Sequence, residues 1–263
     1  MSYADVNGLS LYHEEHGSGE PLVLLHGGFG AGEALGPLTT ALAAGRRVIT
    51  VDLQGHGRTA DVDRPLRAET MADDVAALIA HLGLERADVM GYSLGGMVAL
   101  RTAIQHPERV RRLVVVSVAF RRDGSYADVV AAFDQFGPGM ADALGRSPMG
   151  ELYRRSAPRP DDWPVLVAKT AEMLHDDYDW GAEVDALTTP TLIVFADADS
   201  IRPDHMIEFY GLLGGGRQAG GVDGSGRPAS QLAVLPGLTH YDIPTSPALP
   251  AAVIPFLDAA AGT

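Results

Sequence analysis

Eight residues near the middle of the chain, Val89-Met90-Gly91-Tyr92-Ser93-Leu94-Gly95-Gly96, leave it few ways to fold. An apolar run enters a glycine, a serine follows two residues later, and two more glycines lead into a helical pattern. That order predicts a strand, a sharp turn with Ser93 at its tip, and a helix. A turn so tight brings its two flanks together, and glycines at 91 and 95 remove the Cβ atoms that would collide. It also holds the serine hydroxyl in the open on a strained backbone, a combination kept mostly at functional sites. The helix from Leu94 directs unpaired N–H groups toward negative charge forming beside the serine. A glycine-bearing turn with an incidental serine would share this local pattern, so the rest of the chain has to decide.

The 263 residues suffice for one large α/β domain with an insertion. The chain has no cysteine, which excludes disulfides, thiolate zinc sites and cysteine nucleophiles. A formal net charge of −14 argues against nucleic acid as a partner, because phosphate binding needs a basic face. The N-terminus, Met1 to Asn7, carries neither the basic region nor the apolar core of a signal peptide. No apolar run approaches the ~18 residues of a membrane span. The expectation is a cytoplasmic protein with no membrane partner.

Leu9 to His13 alternates and reads as an edge strand after a turn at Asn7-Gly8. His13-Glu14-Glu15-His16 has metal-ligand residue types, but residues three apart on a strand point to opposite faces, so no metal site is expected. Leu22 to Leu25 is an unbroken apolar run, as in a strand covered on both faces, and Arg47 to Val51 reads as the next buried strand. The first ends in His26-Gly27-Gly28-Phe29-Gly30, whose glycines let a loop fold back with its N–H groups exposed; His26 reads as a residue that holds this loop. The second runs into Asp52-x-x-Gly55-His56-Gly57, a further loop, with His56 read as part of it. Helices are expected over 33–44 and 68–82, the latter with an apolar stripe of Met71, Val75, Leu78, Ile79 and Leu82.

After an apolar run at 113–118 the alternation of strand and helix breaks. From Phe120 to Asp185 helical patterns alternate with Gly-Pro and Pro-rich breaks, and both tryptophans lie here. This segment reads as an inserted helical cap of residues 120–185 on a core of residues 1–119 and 186–263. Strand character returns at Thr191 to Phe195 and at Leu232 to Leu235, separated by a helix over 204–213 and a glycine-dense loop over 214–228 without phosphate-loop spacing. The chain closes on a helix expected over 247–261.

A serine hydroxyl is a weak nucleophile until a base takes its proton and a third group orients that base. Ser93, Asp199 and His240 occur in that order, each just beyond a predicted strand, where open parallel sheets bind ligands. Asp197 competes with Asp199 for the third role.

These motifs together resemble the α/β-hydrolase superfamily over nearly the whole chain, specifically its small serine hydrolases with a helical cap, esterase- or lactonase-like. The resemblance implies a mostly parallel eight-stranded sheet flanked by helices. It implies Ser93 as nucleophile, His240 as base and Asp199 as orienting acid. Asp199 fits the family's G-x-x-D pattern, although Ala196 stands where that pattern has glycine, and Thr239 replaces a glycine before His240. Asp197 is left as a turn residue. Leu94 and the Gly28–Phe29 region, Gly28 first, would supply the oxyanion hole. Tyr92, Phe136, Tyr153 and Trp180 are candidate pocket walls, since such walls are mostly apolar. A serine at the turn sets the chain apart from dehalogenases and epoxide hydrolases, which carry aspartate there. The resemblance thus implies a small, fairly apolar ester or lactone as substrate, with no cofactor. Carbon–carbon bond hydrolysis, cofactor-free perhydrolysis and a ligand-binding receptor without turnover are alternatives.

Overall fold

The computed structural model describes residues 2–259. Among these lie strands β1 (Ser2–Val6), β2 (Leu9–His16), β3 (Glu20–Leu25), β4 (Arg46–Val51), β5 (Ala87–Tyr92), β6 (Val110–Val116), β7 (Thr191–Ala198) and β8 (Gln231–Thr239). The helices are α1 (Gly36–Ala43), α2 (Ala68–His81), α3 (Leu94–Gln105), α4 (Ala127–Gln135), α5 (Ala141–Gly145), α6 (Pro148–Ser156), α7 (Trp163–His175), α8 (Gly181–Asp185), α9 (Pro203–Leu212) and α10 (Ala248–Asp258). One eight-stranded sheet runs in the order β1-β2-β4-β3-β5-β6-β7-β8. β2 pairs antiparallel with both β1 and β4, and the remaining pairs are parallel.

Alternation along the apolar strands explains the layers. Leu22 and Leu24 face a layer with Leu38 and Leu42 of α1 and Val253 and Phe256 of α10. Val23 and Leu25 face the opposite layer, with Met71 and Leu78 of α2 and Val98 and Leu100 of α3. Strands covered on both faces have no polar side to show, hence their unbroken apolar sequences.

The sheet differs from the expected one at its margins. The edge strand is β1, not Leu9–His13. It joins β2 through Asn7 (φ 48°) and Gly8 (φ 79°), the left-handed pair that a two-residue hairpin requires. The helix expected over 33–44 is a 3-10 turn at Gly32–Leu35 followed by α1, which restarts at Gly36-Pro37. β8 extends to Thr239 through Pro236 and Gly237, both tolerated because β8 is an edge. Ser117, expected inside a strand, lies beyond the end of β6 with φ 56°. Of the last expected helix, Ala260 and Ala261 lie outside the described residues. Helices α4 to α8 all fall between β6 and β7, and Lys169 of α7 holds the loop after β4. Its ammonium donates to Asp61 Oδ2 (2.6 Å) and to the carbonyls of Val62 and Arg64 (both 2.7 Å).

Two loops above the sheet are locked together by buried polar groups. Asp52 accepts the N–H of Gly32 and that of Arg58, each at 2.7 Å. A Cβ at Gly57 would sit 2.2 Å from the same carboxylate, which is why the motif keeps glycine there. The N–H of Leu53 donates to His26 Nε2 (3.1 Å), so Nδ1 carries the proton and donates to the Gly27 carbonyl (2.7 Å). His56 lies 5.2 Å away, ring to ring, and its Nδ1 bonds the Gln54 carbonyl (2.8 Å). Burial pushes His26 down to about 4 and His56 to about 3, and His205, stacked on Phe120, to about 4.

These histidines fold neutral, whereas in the unfolded chain each takes up a proton near pH ~6.5. Between there and the folded values the unfolded state holds more protons, so stability falls as pH falls. From about pH 7 down toward about pH 4.5 each of these histidines should lower the unfolding free energy by up to about 1.4 kcal/mol per pH unit, read from denaturant titrations at each pH. Buried Asp52, Asp74 and Asp88, whose carboxyls burial pushes up, act in the opposite sense, so the direct check is histidine ring NMR: protonation of His26, His56 or His205 near pH ~6.5 in the folded protein would refute their neutral burial. A second expectation concerns Gly95, where a Cβ would meet the carbonyl oxygens of Leu25 and His26 at 2.5 Å. Backbone cannot yield as a side chain does, so Gly95→Ala should cost about 3 kcal/mol in a denaturant titration.

Candidate active site

β5 enters the turn and α3 leaves it with almost no space between them. A Cβ on Gly91 would stand 2.0 Å from the Gly95 carbonyl oxygen. Ser93 takes the resulting strained backbone (φ 52°) and its N–H donates to the Val116 carbonyl at 2.9 Å. The side chain is partly exposed at the carboxyl edge of the sheet.

Asp199 and His240 reach the same edge from the ends of β7 and β8. His240 Nε2 lies 3.1 Å from Ser93 Oγ, and His240 Nδ1 lies 3.0 Å from Asp199 Oδ1. A charged carboxylate at that distance requires the proton on Nδ1, leaving Nε2 to accept from the serine. Burial pushes the Asp199 carboxyl up, but the bonds from His240 and Ser117 outweigh it and hold the group below the usual aspartate range. Oδ1 also accepts the Ser200 N–H (2.8 Å), and Oδ2 accepts the Ser117 hydroxyl (2.6 Å) and the Ala196 N–H (3.1 Å). Asp197 is exposed and points elsewhere. Its carboxylate accepts the N–H groups of Gly237 (2.9 Å) and Leu238 (3.2 Å), tying down the segment that leads to His240. The Asp242 carboxylate does likewise for the Thr239 N–H (2.6 Å).

The loop after β3 lies against this group. Gly27 faces Tyr92 and Ser93 so closely that a Cβ would meet the Tyr92 ring at 2.7 Å. Residues 27–30 form a turn closed by the Gly30 N–H on the Gly27 carbonyl (3.0 Å), with Phe29 left-handed at φ 56°. That φ at the third residue of a turn is normally left to glycine. Leu94 opens α3, so its N–H has no carbonyl four residues back within the helix.

The four aromatic candidates divide. Phe136 lies 6.0 Å from the Phe29 ring, at the loop beside Ser93. Tyr92 is placed as a clasp as much as a wall, its hydroxyl donating to the His240 carbonyl at 2.8 Å. Tyr153 is buried behind Trp163 (5.2 Å), and it is Trp163 that touches Phe29 (5.4 Å). Trp180 packs on Tyr178 (4.6 Å) and beneath the Arg101 guanidinium (5.3 Å), two turns along α3 from Ser93. Sequence reasoning missed Trp163, Ser200 and Ser117. Ser117 had a readable signal, since it follows an apolar strand at the same sheet edge as the other three polar groups.

A hydroxyl, an imidazole and a carboxylate in one hydrogen-bonded line can raise the nucleophilicity of the hydroxyl, and free N–H groups nearby can stabilise an oxyanion. Comparison with known proteins agrees with an architecture of this kind. Residues 20–152 match the family described as alpha/beta hydrolase fold. A putative carbamate hydrolase of Azorhizobium caulinodans is 39% identical over 125 residues, covering 47% of this chain and 47% of that one, so the match spans about half of that relative. A pimeloyl-acyl-carrier-protein methyl ester esterase of Aeromonas hydrophila is 32% identical over 222 residues, covering 74% of this chain and 83% of that one. The enol-lactonase of Burkholderia xenovorans superposes with a TM-score of 0.71 at 21% identity, over 98% of this chain and 100% of that one, a likeness of fold. By its matched segment and by the span of its esterase relative, the chain belongs to the α/β-hydrolase family.

Proposed function

We propose that the chain is a serine hydrolase that cleaves a small, fairly apolar carboxylic ester or lactone through an acyl-enzyme. The observation that carries this reading is the line Ser93 Oγ–His240 Nε2 (3.1 Å) and His240 Nδ1–Asp199 Oδ1 (3.0 Å). The esterase relative, matched over 83% of its length, supports ester chemistry.

Ser93 Oγ attacks the carbonyl carbon while His240 Nε2 takes its proton. The charge on the carbonyl oxygen settles on the N–H of Leu94 and on one from Gly28–Phe29. Each such donor is worth roughly 3–4 kcal/mol in the transition state. His240 then gives its proton to the leaving alkoxide, and the acyl group stays on Ser93. Water, deprotonated by His240, attacks the acyl-enzyme, releasing the acid and restoring the serine. Asp199 holds the imidazole in the required tautomer and stabilises its charged form.

In this reading helices α4 to α8, within residues 120–185, are a cap. Phe136 and Trp163 meet Phe29 (6.0 and 5.4 Å) and make an apolar ceiling beside the oxyanion loop. A ceiling of three aromatic rings favours an apolar acyl or alkyl portion.

Ser93→Ala should abolish hydrolysis of short p-nitrophenyl esters and labelling by a fluorophosphonate, with the circular dichroism spectrum and thermal midpoint kept. Undiminished turnover in that variant would sink the mechanism. In a panel of esters, lactones, carbamates and ring-opened diketones, esters or lactones should be the fastest; faster diketone cleavage would move the assignment to carbon–carbon hydrolysis. Asp199→Asn should lower kcat about 10⁴-fold, as loss of an orienting acid does. Asp197→Asn, which keeps an acceptor for Gly237 and Leu238, should cost far less, and the opposite ranking would reassign the acid.

A further inference from the structure

Two consecutive residues at the end of β6 touch both ends of the hydrogen-bonded line. The Val116 carbonyl accepts the Ser93 N–H at 2.9 Å. The next residue, Ser117, places its hydroxyl 2.6 Å from Asp199 Oδ2. Its own N–H donates to the Val194 carbonyl of β7 at 2.9 Å, so its backbone is bound to the strand that carries the acid. Ser117 is 2% exposed, and water cannot replace its hydroxyl without rearrangement.

The backbone of Ser117 is the costly one for its residue type. At φ 56° it lies in the left-handed region, where glycine would sit without strain. A serine there is explained by what its side chain does. Oδ2 of Asp199 has two donors, the Ser117 hydroxyl and the Ala196 N–H, whereas His240 bonds the other oxygen, Oδ1. With Oδ2 fixed, the carboxylate has one orientation, and Oδ1 is presented to His240 Nδ1 at 3.0 Å. The remaining donors to Oδ1, the N–H and hydroxyl of Ser200 (2.8 and 3.3 Å), belong to the adjacent residue and turn with the same loop. Ser117 alone among the side-chain donors ties the acid to a central strand.

Resting on the hydrolase reading above, we infer that Ser117 is a positioning residue for that reaction. Its hydroxyl fixes the Asp199 carboxylate against the end of β6, the same strand end that fixes the Ser93 backbone. The spacing of nucleophile and acid is thereby set through one peptide unit, and His240 fits between them.

The test separates hydroxyl from backbone. Ser117→Ala removes the donor and keeps the strained φ; Ser117→Gly removes the donor and relieves the strain. Both should lower kcat for p-nitrophenyl butyrate by roughly 10- to 100-fold, the worth of a hydrogen bond to a charged group, with KM within about twofold. The rate of fluorophosphonate labelling should fall in parallel, and Ser117→Gly should melt no lower than Ser117→Ala. In an Asp199→Asn background either substitution should slow labelling by less than about threefold, because the group it acts through is gone. Wild-type kcat in the glycine variant, or an equal loss with and without Asp199, would overturn the inference. If the wild-type protein neither labels nor turns over, the hydrolase reading itself fails; if it does both through Ser93 and Ser117 is dispensable, only the positioning role fails.

Discussion

The site depends on how closely β5 and α3 approach. With a Gly91 Cβ position 2.0 Å from the Gly95 carbonyl oxygen, no side chain fits at 91, and Gly95 is equally pressed against the carbonyls of Leu25 and His26. This contact forces the turn between them and so the left-handed backbone of Ser93. It also brings the end of β3 beside the end of β5, as the register of Leu25 with Gly91 requires. The loop after β3 therefore lies over Ser93 because the strands beneath it are neighbours, although the two are far apart in sequence.

Parallel order does the rest. β6, β7 and β8 follow β5 across the sheet, each ending at the same edge, so Ser117, Asp199 and His240 arrive in sequence on one rim. Position along the rim does not by itself give hydrogen-bond geometry. That comes from the small polar bonds beneath it: Asp197 and Asp242 on the segment that carries His240, Tyr92 on the His240 carbonyl, and Asp52 and His26 on the loops opposite. Most of these groups are buried or saturated with partners, which makes each loop adopt one shape. The proposed base and nucleophile, about 3 Å apart, would need that rigidity, because misplacement of an ångström costs orders of magnitude in rate.

Much of this is legible in the sequence. Apolar runs ending in glycine, serine, aspartate or histidine mark the strand ends, and the order Ser93, Asp199, His240 follows from them. Asp199 is separable from Asp197 there only by spacing, and the structure adds the physical difference: one carboxylate is buried on His240 and the other is exposed on backbone N–H groups. The features that stay hidden share a cause, in that local pattern carries no tertiary contact. β1 escapes notice because a short edge strand with one covered face has a weak pattern. Ser117 is absorbed into β6 because alternation reports which face a residue takes and says nothing about φ. Trp163 is passed over, and Trp180 favoured, because a run of short helices gives no clue to which aromatic faces the core loops; that is decided by contacts such as Lys169 on the 61–64 loop.

Backbone strain ties these observations together. Among the described residues four non-glycines have positive φ: Asn7, Phe29, Ser93 and Ser117. Asn7 sits in a hairpin turn, where asparagine accepts that conformation readily. The other three converge on the sheet edge beside His240. Each is of order 1–3 kcal/mol less favourable than a relaxed residue, and glycine would relieve it. In each, the side chain makes a contact that glycine lacks: Phe29 with Phe136 and Trp163, Ser93 with His240, Ser117 with Asp199. In a domain stable by only about 5–15 kcal/mol, three such departures in one place are a large fraction of the whole. Packing contributes at Phe29, which lies against the core, but it gives neither serine a reason to hold a positive φ, because a hydroxymethyl group adds little apolar contact. The strain is accounted for if the side chains are needed where the backbone puts them. On that argument Ser117 belongs with Ser93 and Phe29 as part of the candidate site.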